Sequence, residues 1–113
     1  MDVNEETSEK IEELQVLERN LQGILIQKQS IQLESNEISN ALEEVKKSKK
    51  EVYKILGGIM VLAEKNEILK ELERKKHEST MKINAIERQE TLLEGKTNKI
   101  REEITSALKK KKE

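Results

Sequence analysis

Apolar residues return at heptad spacing along two long stretches of the chain. With Leu14 taken as position a, the a series reads Leu14, Leu21, Lys28, Ser35, Leu42 and the d series Leu17, Ile24, Ile31, Ile38, Val45, apolar at eight of ten. Such a seam predicts an amphipathic helix that packs against another helix. A second seam has Leu69, Lys76, Ile83, Glu90, Thr97, Ile104 at a and Leu72, Ser79, Ile86, Leu93, Ile100, Ala107 at d, apolar at eight of twelve. Between the two, in EVYKILGGIMVLAE, the helical period stops and two partly β-branched apolar runs flank Gly57 and Gly58. This predicts a β-hairpin turned on the glycines. The expected order is a helix at about 8–47, a hairpin at about 52–63 and a helix at about 66–109, mainly α and one domain over 1–113.

Residue types at the expected helix ends agree with these bounds. Thr7 or Ser8 can cap the first helix, with Glu9, Glu12 and Glu13 near its positive end, while Lys46, Lys47, Lys49 and Lys50 gather at its negative end. Asn66 can cap the second, with Glu67 in its first turn, and no proline interrupts either helix. Helices of some 35 to 40 residues would each run about 55 Å. If the chain folds back at the glycines, the helices form an antiparallel coiled coil in which a residues face d residues. Paired numbers then add to 114, which sets Leu14 against Ile100, Leu21 against Leu93 and Leu42 against Leu72. A shift by one heptad keeps the same a-to-d rule. Charge favours the fold-back, since residues 1–20 carry seven acids and two bases whereas 94–113 carry four acids and seven bases.

Composition narrows the class. Of 113 residues, 40% are charged and 34% apolar, and Tyr53 is the sole aromatic. Without Phe or Trp a wide interior cannot be filled, which points away from an ordinary globular enzyme and toward narrow helical packing. The near-balance of 22 bases and 23 acids gives no reason to expect nucleic acid as a partner. The absence of Cys excludes disulfides, Cys-based zinc sites and Cys nucleophiles. No apolar run approaches the roughly 18 residues of a membrane span, and MDVNEETSEK has neither the basic nor the apolar part of a signal peptide. A cytoplasmic protein with no membrane contact is expected.

Chemistry has few places to hide. A two-helix hairpin encloses no site with convergent polar groups, so no catalytic residue, metal ligand or cofactor is expected. His77, the only histidine, has no partner at metal spacing and reads as an exposed helix residue, with a ligand or base as the other possibility. Glu12 and Glu13, Glu43 and Glu44, and Glu102 and Glu103 are adjacent in sequence and point in directions about 100° apart on a helix, too far to converge. KKSKK is either a solvated helix end or a phosphate-binding patch. The closing KKKKE is either a solvated tail or a contact for nucleic acid or an acidic partner.

The hairpin is the anomaly. A two-residue turn pairs Leu56 with Ile59, Ile55 with Met60, Lys54 with Val61, Tyr53 with Leu62 and Val52 with Ala63, and only Lys54 is charged. A hairpin wet on one face should alternate apolar with polar; this one is apolar on both. It either packs over its own helix ends or pairs with other subunits. Two helices are too narrow to cover both faces and both edges. Val52, Tyr53, Ile55, Leu56, Gly57, Gly58, Ile59, Met60, Val61 and Leu62 are therefore expected to make an assembly contact through sheet pairing.

Coil, Gly-centred apolar hairpin and returning coil together resemble the prefoldin family, specifically its beta class. IQKQSIQLESNEISNALEEV (26–45) is similar to that class's outgoing helix, VYKILGGIMV (52–61) to its strand signature and AIERQE (85–90) to a segment of its returning helix. The resemblance covers roughly residues 10–108, and a single hairpin separates the beta class from the alpha class. Gly58 stands where many members carry another small residue or proline, and the lysine-rich end is not a family hallmark. The resemblance implies an ATP-independent holdase chaperone. In such a hexamer two alpha-class and four beta-class subunits pool their hairpins into an oligomeric β-barrel and leave the coiled coils hanging as arms. Unfolded proteins are gripped at the arm tips and passed to a group II chaperonin. On that footing Leu14, Leu17, Leu21, Ile100, Ile104 and Leu108 are the candidate client contacts, where a fraying coil opens, or else ordinary seam packing. The rival expectation is a structural coiled-coil adaptor that oligomerises through the hairpin and binds one defined protein.

Overall fold

The computed structural model describes residues 4–112. Helix α1 runs Glu5–Lys47, strand β1 Val52–Leu56, strand β2 Ile59–Ala63 and helix α2 Lys65–Lys112. Backbone contacts divide the chain into two compact units, one formed by residues up to Lys28 and from Ala85 onward, the other by Gln29–Asn84.

In the first unit the cap lies earlier than expected. Asn4 Oδ1 accepts a hydrogen bond from the Thr7 N–H at 2.7 Å, and the Asn4 carbonyl accepts from Ser8 at 3.0 Å. Thr7 and Ser8 are thus inside the helix. Thr7 is buried at the a position one heptad before Leu14, so the seam extends further toward the N-terminus than its apolar residues reveal. Asn4→Ala is expected to cost about 1 kcal/mol of helix-end stability, read as a lower thermal midpoint by circular dichroism.

Burial in this unit follows the seams. Leu14, Leu17, Leu21, Ile24 and Lys28 are half-buried, as are Ile86, Glu90, Leu93 and Ala107, and Thr97, Ile100 and Ile104 are buried. Thr97 satisfies its hydroxyl by donating to the Leu93 carbonyl at 2.7 Å. Among the described residues, three ion pairs cross between the helices: Lys10–Glu103 at 3.5 Å, Lys28–Glu90 at 3.1 Å and Glu18–Arg101 at 2.9 Å. Their residue numbers add to 113, 118 and 119, within five of the expected constant. A slip by one heptad in either direction would displace one of these pairs by about 12 Å or more along the axis, beyond side-chain reach. Glu18–Arg101 follows the expected attraction of an acidic start to a basic end, while Lys10–Glu103 runs the other way.

The second unit holds the hairpin and the parts of both helices that meet it. Ser35, Ser79, Ile38 and Leu42 are buried and Ile31, Val45, Leu69, Leu72 and Ile83 half-buried, whereas Lys76, at an a position, is exposed. Helix α1 ends in basic residues, and Ser48 closes it by donating its N–H to the Glu44 carbonyl at 3.0 Å. Lys65 adds the Lys46 and Ser48 carbonyls as acceptors at 3.2 and 3.0 Å, a cation at a helix C-terminus. Helix α2 starts at Lys65, with the Ile68 N–H on the Glu64 carbonyl at 3.1 Å. Asn66 therefore lies within the first turn and does not cap it, because β2 leaves only Glu64 between strand and helix. At its far end α2 continues past the expected 109 to Lys112.

The strands pair antiparallel in the expected register, from Val52↔Ala63 to Leu56↔Ile59. Gly57 and Gly58 have φ of 55° and 81°, the left-handed pair that a two-residue hairpin turn of matching twist demands.

Candidate assembly and client-binding surfaces

The hairpin presents its side chains largely to solvent. Tyr53, Ile55, Leu56, Ile59, Met60, Val61 and Leu62 are all exposed, and Val52 and Ala63 half-buried. Fully burying an aliphatic or aromatic side chain of this kind is worth about 1.5–3 kcal/mol, so a run this dense is a strong drive to associate. Lys54, the one charged strand residue, is tied down: its ammonium donates to both carboxylate oxygens of Glu71 on α2, at 3.0 and 3.4 Å. Lys75 lies 3.6 Å from the same carboxylate. The hydrogen bond from Lys54, then its charge, hold Glu71 below its ordinary value near 4.5. A depressed carboxylate contributes stability above the unfolded value and loses it as pH falls through the folded one. Below about pH 4.5 the tie of hairpin to α2 should therefore weaken. Carboxyl NMR titration checks this: Glu71 should titrate at lower pH than an untied glutamate, and Lys54→Met should shrink the difference to what Lys75 alone supplies.

Around this contact the link of residues 48–51 carries Lys49 and Lys50 exposed to solvent, with Lys47 paired to Glu43 at 3.8 Å. An open groove of about 400 Å³ lies there, lined by Glu44, Val45, Lys47, Ser48, Glu51 and Val52. Tyr53 donates its hydroxyl to Glu51 at 2.9 Å, so this aromatic presents an apolar ring with a satisfied polar end.

The candidate client residues all lie in the first unit. Leu14, Leu17, Leu21 and Leu108 are half-buried and Ile100 and Ile104 buried, so in this folded form they line the helix–helix seam. Beside them a groove of about 450 Å³ runs over Gly23, with Arg19, Asn20, Ile24, Gln27 and Leu93 around it. Lys28 and Glu90 replace apolar layers within the same seam. The Glu90 hydrogen bond holds the Lys28 ammonium above its ordinary value against partial desolvation.

His77 and the paired acids Glu12 and Glu13, Glu43 and Glu44 are exposed, as is Glu102, while Glu103 is engaged with Lys10. Among the described residues no three His, Cys, Asp or Glu side chains gather, and no helix is long and apolar enough to cross a membrane. Lys54–Glu71 and the Lys65 contact with the end of α1 lie outside what the sequence pattern implies. A lone lysine in an apolar strand was the visible sign of the first, although nothing local names its partner.

The comparisons with known proteins agree with this geometry. The family model described as prefoldin subunit matches residues 8–111. The prefoldin subunit beta of Thermococcus onnurineus is 35% identical over 99 residues, covering 86% of this chain and 85% of that protein. The prefoldin subunit beta of Pyrococcus furiosus is 32% identical over the same shares. Among solved structures, the prefoldin beta subunit from Thermococcus strain KS-1 matches with a TM-score of 0.89 and 31% identity, over 95% of this chain and 96% of that one. With two heptad-bearing helices, an apolar hairpin between them and these matches across almost its whole length, the chain belongs to the prefoldin family of chaperone subunits, on its beta-subunit side.

Proposed function

We propose that the chain works as a single prefoldin-like domain over 1–113 in an ATP-independent holdase of the cytoplasm. Its hairpin joins alpha-class subunits and further beta-class copies into a hexamer. Unfolded polypeptides are held by the terminal seam residues Leu14, Leu17, Leu21, Ile100, Ile104 and Leu108, and pass from there to a group II chaperonin. The observation that carries this reading is the dense set of exposed apolar side chains on the hairpin of a prefoldin-family chain. A monomer would leave that surface in water, whereas sheet pairing among subunits removes it. The seam residues supply the client side: they are apolar, and they lie toward chain ends, where helices open at least free-energy cost.

The test is aggregation of a chemically unfolded client followed by light scattering, with the chain mixed with an alpha-class prefoldin subunit. Scattering should fall in a dose-dependent way, equally with and without ATP. Binding of one folded protein with no effect on unfolded clients would instead make the chain a coiled-coil adaptor.

A further inference from the structure

Helices α1 and α2 hold one glycine each, Gly23 and Gly95, and both belong to the unit that carries the chain ends. Neither is required by its surroundings. Among the described residues positive φ is confined to Gly57 and Gly58, while both helix glycines are exposed and nothing lies within 4 Å of a Cβ built at either. A side chain would fit at both positions. What glycine brings instead is a weaker helix, since against alanine it lowers the local helix equilibrium about 2- to 5-fold.

The two weak points stand at one level of the coiled coil. Gly23 lies midway between Glu18 and Lys28, and Gly95 between Glu90 and Arg101, the residues of the cross-helix pairs Lys28–Glu90 and Glu18–Arg101. Asparagine, another poor helix former, follows each glycine toward its chain end, at Asn20 and Asn98. The two ion pairs differ in strength. Lys28 and Glu90, on the hairpin side, are 31% and 20% exposed, whereas Glu18 and Arg101, on the terminal side, are 46% and 54% exposed and hold little in water. Leu14, Leu17 and Leu21 on α1 and Ile100, Ile104 and Leu108 on α2 all lie on the terminal side of the glycines.

We propose that Gly23 and Gly95 form a breakpoint across the coiled coil, at which the two terminal segments part as one piece and bare their apolar seam to a client. A coil weak only at its ends would fray turn by turn, whereas two weak turns at one level give the opening a fixed inner limit, backed by Lys28–Glu90. This rests on the terminal seam being the client-holding surface, and it adds where that surface opens and what sets the fraction open. Apparent client affinity then falls in proportion as the open fraction falls.

The experiment compares the wild type with Gly23→Ala combined with Gly95→Ala, and with Asn40→Ala combined with Asn84→Ala, two exposed helix positions of the other unit. Each full chain is assembled with an alpha-class subunit. Native-state amide exchange along both helices is measured, together with the dose that suppresses scattering from a chemically unfolded client. In the wild type, amides on the terminal side of the glycines should share one exchange rate, with a step to slower exchange on the Lys28–Glu90 side. The glycine double variant should slow that shared rate about 4- to 25-fold and raise the holding dose by a similar factor, and the asparagine pair should change neither. Exchange that grades smoothly toward the chain ends, or a rate unchanged in the glycine variant, overturns the breakpoint and leaves client holding by the seam standing. Slowed exchange with an unchanged holding dose overturns the link between opening and holding. No holding by the wild type overturns the client reading of the seam, and the exchange step then decides the breakpoint by itself.

Discussion

Removing residues 1–18 together with 98–113 is expected to leave an assembled particle that no longer keeps a chemically unfolded client from aggregating. The cut falls wholly within the unit that carries both termini and takes Leu14, Leu17, Ile100, Ile104 and Leu108 with it. The strands, Lys54 and Glu71 all belong to the other unit and are untouched. Heptad layers on both helices remain on the hairpin side of the cut, including buried Ile38 and Leu42 and the Lys28–Glu90 pair. Native mass and light scattering on the same preparation separate the two roles. Full holding by an intact truncated particle would place the client elsewhere, on the hairpin assembly or along the remaining coil.

A second large effect is expected from Gly57→Val combined with Gly58→Val. Nothing lies within 4 Å of a Cβ built at either glycine, so the penalty is not one of space. It is conformational: both positions hold positive φ, where a β-branched residue costs of order 1–2 kcal/mol each. A two-stranded hairpin is marginal in water on its own and has no reserve to absorb that. The turn should open and the particle dissociate while the helices persist. Sedimentation and circular dichroism together read this, and an unchanged sedimentation coefficient would mean that the hairpin does not set the assembly. Replacing Gly57 with Asn, which tolerates the left-handed region, should retain most of the particle.

Much of this architecture was legible because it depends on periodicities. The heptads named the half-buried or buried layers of both seams except those of Thr7 and Lys10, whose polar side chains concealed their a and d positions, and only Lys76 broke the pattern by being exposed. Two adjacent glycines between β-branched runs fixed the hairpin register, since a two-residue turn leaves a single pairing. The helix caps were less legible. Thr7, Ser8 and Asn66 have good capping chemistry, but Asn4 lies one turn earlier and β2 runs up to Glu64, so chain geometry decided between competent residues. The Lys54–Glu71 tie was not legible at all, because it depends on how the hairpin sits on α2, a tertiary fact with no local period.

The most direct measurement places a photo-crosslinking amino acid at Leu17 in one variant and at Met60 in another, each in the assembled particle, and exposes both to an unfolded client and to the same client in its native fold. Leu17 should capture the unfolded client without nucleotide and ignore the native one, while Met60 captures only neighbouring subunits. Capture of client at Met60 with none at Leu17, or equal capture of the native fold, would contradict this assignment of roles.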